Sequence, residues 1–305
     1  MITINSEKGL VRIETWDDVI SRPGFTQEVN PKEVQLDAII GRYRLPDFVP
    51  CGLSSCHKKH FRGYLVTTKQ GTITNIGKDC GKTHFGVDFE TLSRKFDRDL
   101  ANIERREALK TAKAKLGGWL SEVERLKDEA KGASWLNKQI KAIRDPVNGL
   151  PEKVRDALDK MVKSRSSIVT KERLATKQEK EIMVETQGLK EEDAKGPVYV
   201  DDEIGALQGL SALYAENDIR ELLIKDLQTN LMHVQGMNIE SASESELRTW
   251  AKWTSEVDNK LEQCREIIKT GMRFFGAENI SLLAEICDTP VDERKVMAFA
   301  RQYRS

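Results

Sequence analysis

Between Cys51 and His84 the chain places three of its five cysteines and three of its four histidines. Few features constrain a fold as tightly. Soft thiolate and borderline imidazole donors at paired short spacings are what a tetrahedral Zn²⁺ takes up. A shared ion would then fix two distant pieces of backbone to one point. The donors read Cys51-x4-Cys56, with His57 and His60 close behind, and then Cys80-x3-His84.

Between the pairs, Gly63-Tyr-Leu-Val-Thr-Thr and Thr72-Ile-Thr-Asn-Ile76 are β-branched runs around Lys69-Gln-Gly71, which predicts a hairpin. Asp79 is placed to cap a short helix. On that helix Cys80 and His84, at i and i+4, share a face and can reach one ion. The expected ligands are Cys51, Cys56, Cys80 and His84, with His60 as the alternate in a rival set of Cys56, His60, Cys80 and His84. His57 adjoins Cys56, which makes joint ligation sterically awkward. Six candidates cannot fill two tetrahedra, so one Zn²⁺ is expected. A closed four-ligand site is structural and leaves no open position for catalysis. A ligand loop, a hairpin and then ligands in a helix's first turn resemble the treble-clef class of zinc fingers, over residues 51–86 only.

Composition sets the rest of the frame. Of 305 residues 32% are charged, 39% hydrophobic and 6% aromatic, which suits a helix-rich chain with elongated parts. No apolar run reaches 18 residues, so no membrane partner is expected. Met1-Ile-Thr-Ile-Asn-Ser-Glu lacks the basic and apolar regions of a secretory signal. Five cysteines with three in a metal-like cluster are no disulfide framework. A cytoplasmic location follows as the expectation. The formal charge of zero hides a segregation. Residues 51–86 carry six basic side chains (Lys58, Lys59, Arg62, Lys69, Lys78, Lys82) against one acid, Asp79. Residues 101–180 carry 20 basic and 12 acidic side chains, whereas 201–305 carry 12 basic and 19 acidic.

The fold expected is mainly α: a small N-terminal α+β zinc-finger module, then long amphipathic or coiled-coil helices, then a C-terminal helical bundle. Residues 1–87 form the module, 88–184 a helical arm, 185–200 a linker and 201–305 the helical domain. Phe89, Leu92, Phe96, Leu100 and Ile103 begin a helical stripe, in which Gly117-Gly118 predicts a kink or close helix contact. Pro151 opens a further helix carrying Val154, Leu158, Met161 and Ile168, reaching to about Met183. Ile204, Leu207 and Leu210 mark another. Ser243-Glu-Ser-Glu246 is a capping box, and Thr289-Pro290 starts a last helix. Cys264 and Cys287 fall on apolar helical faces as packing residues.

No P-loop, dinucleotide fingerprint or nucleophile motif occurs, which favours a binding protein over an enzyme. The expected function is zinc-binding association with a nucleic acid. Lys58, Lys59, Arg62, Lys69, Lys78 and Lys82 would meet phosphates, and the arm would space or pair two copies as a homodimer. Two alternatives stand beside it: a protein-interaction adaptor or inhibitor acting through the helical domains, and a metal-dependent nuclease using His57 or His60 as base.

Overall fold

The computed structural model describes residues 2–6 and 9–304. Met1 and Glu7, part of the segment read above for a signal, lie outside the described residues.

The chain opens with β1 (Ile2–Ser6), β2 (Gly9–Ile13), the single turn α1 (Asp17–Ile20), β3 (Leu36–Pro50), β4 (Lys59–Thr68) and β5 (Ile73–Gly77). These strands form one antiparallel sheet in the order β2-β1-β3-β4-β5. Period-2 alternation fixes its faces. Ile2, Ile4, Tyr43 and Leu65 point to one side, where Val19 of α1 and Val49 join them. Tyr64, Val66 and Ile76 point to the other, packed against Cys51, Leu53, Cys80, Phe89, Phe96 and Leu100. The expected hairpin turns at Gly71, whose φ is +83°.

Then comes α2 (Lys78–Asp128), 51 residues long. It breaks at Gly86, where φ is 55° and ψ −131°, a conformation that favours glycine. The break folds Phe89 back onto Gly81, a position with no room for a Cβ. Gly117 and Gly118, where a kink or close contact is predicted, stay helical with nothing within 4 Å of a built Cβ. The kink therefore lies where tertiary packing demands a left-handed residue, and the exposed glycine pair is merely tolerated.

After it come α3 (Ala133–Arg144) and α4 (Glu152–Ser164). The helix opened at Pro151 does not run on to Met183. Arg165 adopts φ 57° and the Ser166 amide reaches back to the Met161 carbonyl at 3.1 Å, closing α4 with a left-handed cap. The β-branched Ile168-Val169-Thr170 then starts β6 (Ile168–Leu174), followed by α5 (Lys177–Thr186), α6 (Glu191–Ala194) and β7 (Tyr199–Ala206), which pairs antiparallel with β6. Ile204 therefore sits in a strand, although its spacing to Leu207 and Leu210 predicts a helix. The segment expected as a linker contains α6 and the start of β7.

A wide, π-type helix, Arg220–Gln228, leads into α7 (Thr229–Gly236), α8 (Glu244–Ser255), α9 (Val257–Phe274), α10 (Ala277–Leu282) and α11 (Pro290–Arg301). Both predicted starts are present. Ser243 and Glu246 exchange the reciprocal bonds of a capping box, and Thr289 Oγ1 accepts the Asp292 amide at 3.1 Å. Cys264 and Cys287 are buried packing residues.

The chain divides into two compact units. One comprises the residues through Thr111 together with Asn238–Ala251, the other Ala112–Met237 with Lys252–Ser305. The second has a core of Leu136, Leu158, Leu223, Leu227, Leu261 and Phe274. In it Asp226 accepts hydrogen bonds from Trp253 Nε1 at 2.9 Å and Asn230 Nδ2 at 2.8 Å and pairs with Lys260. Burial raises the pKa of this carboxyl, but those three partners outweigh it and hold the group below the ordinary aspartate range. No helix among the described residues is long and apolar enough to cross a membrane.

Candidate metal centre

Cys51 follows the last residue of β3, Cys56 lies in the next tight turn, and Cys80 sits in the first turn of α2. Their three sulfurs lie within 4.8 Å of one another, and Cys56 Sγ is 3.3 Å from Cys80 Sγ. A tetrahedral ion with Zn–S bonds of about 2.3 Å would set sulfurs about 3.8 Å apart, close to this arrangement. None of the three is in a disulfide.

Local backbone explains the convergence. The Cys51 amide donates to the Lys58 carbonyl at 3.0 Å and the Cys56 amide to the Leu53 carbonyl at 3.0 Å, which closes the ligand loop on itself. The Gly52 amide donates to the Asn75 carbonyl of β5 at 2.8 Å, tying the loop to the sheet. A Cβ at Gly52 would overlap Thr74 Oγ1, so this close approach requires glycine. His57 takes the left-handed conformation, φ 46°, one of two described non-glycine residues to do so. Just past it the Lys58 amide turns back and donates to the Cys56 sulfur. The Leu53 and Gly77 amides donate to the Cys51 sulfur.

These donors favour thiolate, yet the three sulfurs oppose one another. Burial pushes the Cys51 thiol up, against the pull of its two amides. Burial also opposes ionisation of Cys56, but the Lys58 amide, the neighbouring thiols and the Lys58 ammonium together bring it below the ordinary range. Cys80 is pushed up, first by burial and then by its bond to Cys56 and the charges of its neighbours. A cation among three such sulfurs removes that conflict, so the donor set fits a thiophilic metal.

The structure brings together three of the four expected ligands. His84 lies one turn beyond Cys80 and is half-buried, outside the sulfur cluster. His60 is outside it as well. Its Nδ1 lies 3.0 Å from the Tyr43 hydroxyl, which also accepts from Asn75 Nδ2 at 3.2 Å. His60 Nε2 and Asn75 Oδ1 are buried without a hydrogen-bond partner among the described residues. Burial lowers the His60 pKa and raises that of Tyr43, the latter partly offset by Asn75. This Tyr43–His60–Asn75 network leaves no local signal in the sequence, because it joins β3, β4 and β5. Lys58, Lys59, Arg62, Lys69, Lys78 and Lys82 are all exposed, and Lys82 pairs with Glu90 at 3.1 Å. No carboxylate joins the sulfurs among the described residues.

Compared with known proteins, the chain matches no family model, no curated protein and no solved structure.

Proposed function

We propose that the amino-terminal unit is a zinc-stabilised module that presents a basic surface to a nucleic acid. The observation that carries it is the pairing of a buried three-sulfur cluster with six exposed cations on the elements that bear the sulfurs or adjoin them. Cys51, Cys56 and Cys80 would hold the ion, and His84 is the fourth ligand in this reading, with His60 as the alternate. When bound, the zinc supplies a cross-link between the loop after β3 and the start of α2. The chain's own residues do the remaining work. Amides of Leu53, Lys58 and Gly77 orient the sulfurs, and the lysines offer point charges to phosphates.

Two measurements test this. Elemental analysis of purified protein is expected to return one zinc per chain. Gel shift with mixed-sequence nucleic acid at two salt concentrations is expected to show binding that weakens steeply with salt. Absence of stoichiometric metal, or binding indifferent to salt, overturns the proposal. Capture of a protein partner with no retained nucleic acid favours the adaptor reading instead.

A further inference from the structure

The pairing of β3 with β4 slips between Arg44, which faces Arg62, and Val49, which faces His60, so Leu45–Phe48 bulge out of the ladder. On the other side of β3, pairing with β1 ends at Tyr43. The bulge lifts Phe48 to 61% exposure while holding its ring edge-on to Phe61, centroids 5.4 Å apart. The Arg62 guanidinium lies 5.8 Å from the Phe61 ring centroid. Leaving a phenylalanine in water costs stability, and Arg44 and Arg62 are cross-strand neighbours in the antiparallel pair.

The neighbouring surface is cationic too. Arg42, Arg62 and Lys78 line a cavity of about 290 Å³ beside Tyr64 and Asp97. The carboxylates there are engaged. Asp97 accepts the Tyr64 hydroxyl at 2.6 Å and Glu104 pairs with Arg42 at 3.1 Å. Exposed Lys59 and Arg44 bring the cations to five, against Asp47, Asp79, Asp97 and Glu104 among the described residues. An exposed aromatic ring set edge-on to a second ring among cationic side chains is the arrangement that takes an unpaired base on its face and phosphates along its flanks. A duplex hides its base faces, and the side chain of a glutamate run has no aromatic face to lay on Phe48.

We infer that this face of the sheet, centred on Phe48 and Phe61 with Arg44, Arg62 and Lys78, binds single-stranded nucleic acid. One base stacks on Phe48 and the adjoining phosphates pass Arg44 and Arg62 towards the cavity. The inference rests on the nucleic-acid reading above and names the strand type and the contacts.

The test is fluorescence anisotropy of the full, zinc-loaded chain at about 50 mM and about 200 mM salt. The probes are a single-stranded DNA of roughly 20 nucleotides, the same sequence as RNA, its duplex, and poly-L-glutamate. Phe48→Ala is expected to weaken single-strand binding about 5- to 100-fold with the salt slope unchanged, and to leave poly-L-glutamate binding as it was. Phe48→Leu, which keeps an apolar group without a π face, is expected to lose most of the same affinity. Arg44→Gln with Arg62→Gln is expected to lower the salt slope by about 1 to 1.5. A preference between the DNA and RNA arms identifies the natural strand and supports the inference. Single-strand affinity within twofold of the unmodified chain in Phe48→Ala overturns it. So does an equal loss for poly-L-glutamate. Tight duplex binding indifferent to Phe48 overturns this inference and leaves the nucleic-acid reading standing, whereas no binding to any nucleic acid removes both.

Discussion

A thiol's charge depends on what faces it, and the three sulfurs of the cluster face different surroundings. Cys56 has the Lys58 amide and ammonium, while Cys80 is pushed up first by burial and then by its bond to Cys56 and its neighbours' charge. Each is nonetheless needed if one ion holds all three. Cys51→Ser, Cys56→Ser and Cys80→Ser are each expected to lose stoichiometric zinc by elemental analysis, whereas Cys264→Ser keeps it. His84→Ala is expected to lose the metal and His60→Ala to retain it, and the reverse result would make His60 the fourth ligand. The cysteines were legible from spacing alone, since C-x4-C and a cysteine at a helix start are local patterns. What spacing could not show is the set of amides aimed at the sulfurs, or the Tyr43–His60–Asn75 network. Those depend on strand register between residues up to 32 positions apart. The exposed ring at Phe48 was equally hidden, because a bulge in β3 is decided by pairing with β4.

Two elements separate local signal from tertiary demand. Gly86 has a left-handed φ of 55°, so Gly86→Ala is expected to cost about 1–3 kcal/mol in urea unfolding. Gly117 lies in regular helix with open space around it, and Gly117→Ala is expected to stabilise by about 0.5–1 kcal/mol. From sequence the glycine pair looked like the break, since propensity sees two helix breakers and cannot see Phe89 packing on Gly81. Capping signals at Ser243 and Thr289 read correctly because a cap is contained within four residues. The end of α4 did not, because Arg165 takes the left-handed cap position usually filled by glycine. Ile204 misled for another reason: three apolar residues at helical spacing straddle the end of a strand and a turn. In the helical unit, Asp226 joins the wide helix to α8 and α9. Its folded pKa is depressed, so its contribution is complete above the ordinary aspartate value near ~4 and is lost as pH falls through the folded value. Asp226→Asn is expected to lower stability by about 1–3 kcal/mol at neutral pH, a gap that closes in acid. Denaturant titrations of both proteins at neutral and acid pH would show it, and a gap constant with pH would contradict it.

For the whole molecule, the helix-rich class, the N-terminal sheet and the long helix were readable from periodicity, whereas the β6–β7 ribbon was not. If zinc substitutes for core in the sheet-bearing unit, chelation acts there first. Amide exchange after chelator treatment is expected to speed up over residues 36–77 and to stay slow over 257–274. Equal acceleration in both, or none in either, would contradict a structural metal. The partition of the chain has its own consequence. The sheet-bearing unit takes back Asn238–Ala251 from far downstream, and Lys110 meets Glu240 at 3.0 Å within it. A premature stop between Cys80 and that return leaves the sulfur cluster encoded but its supporting unit short of a piece. Ribosomes must therefore finish more than two hundred further codons past the first strands before this unit has all its parts.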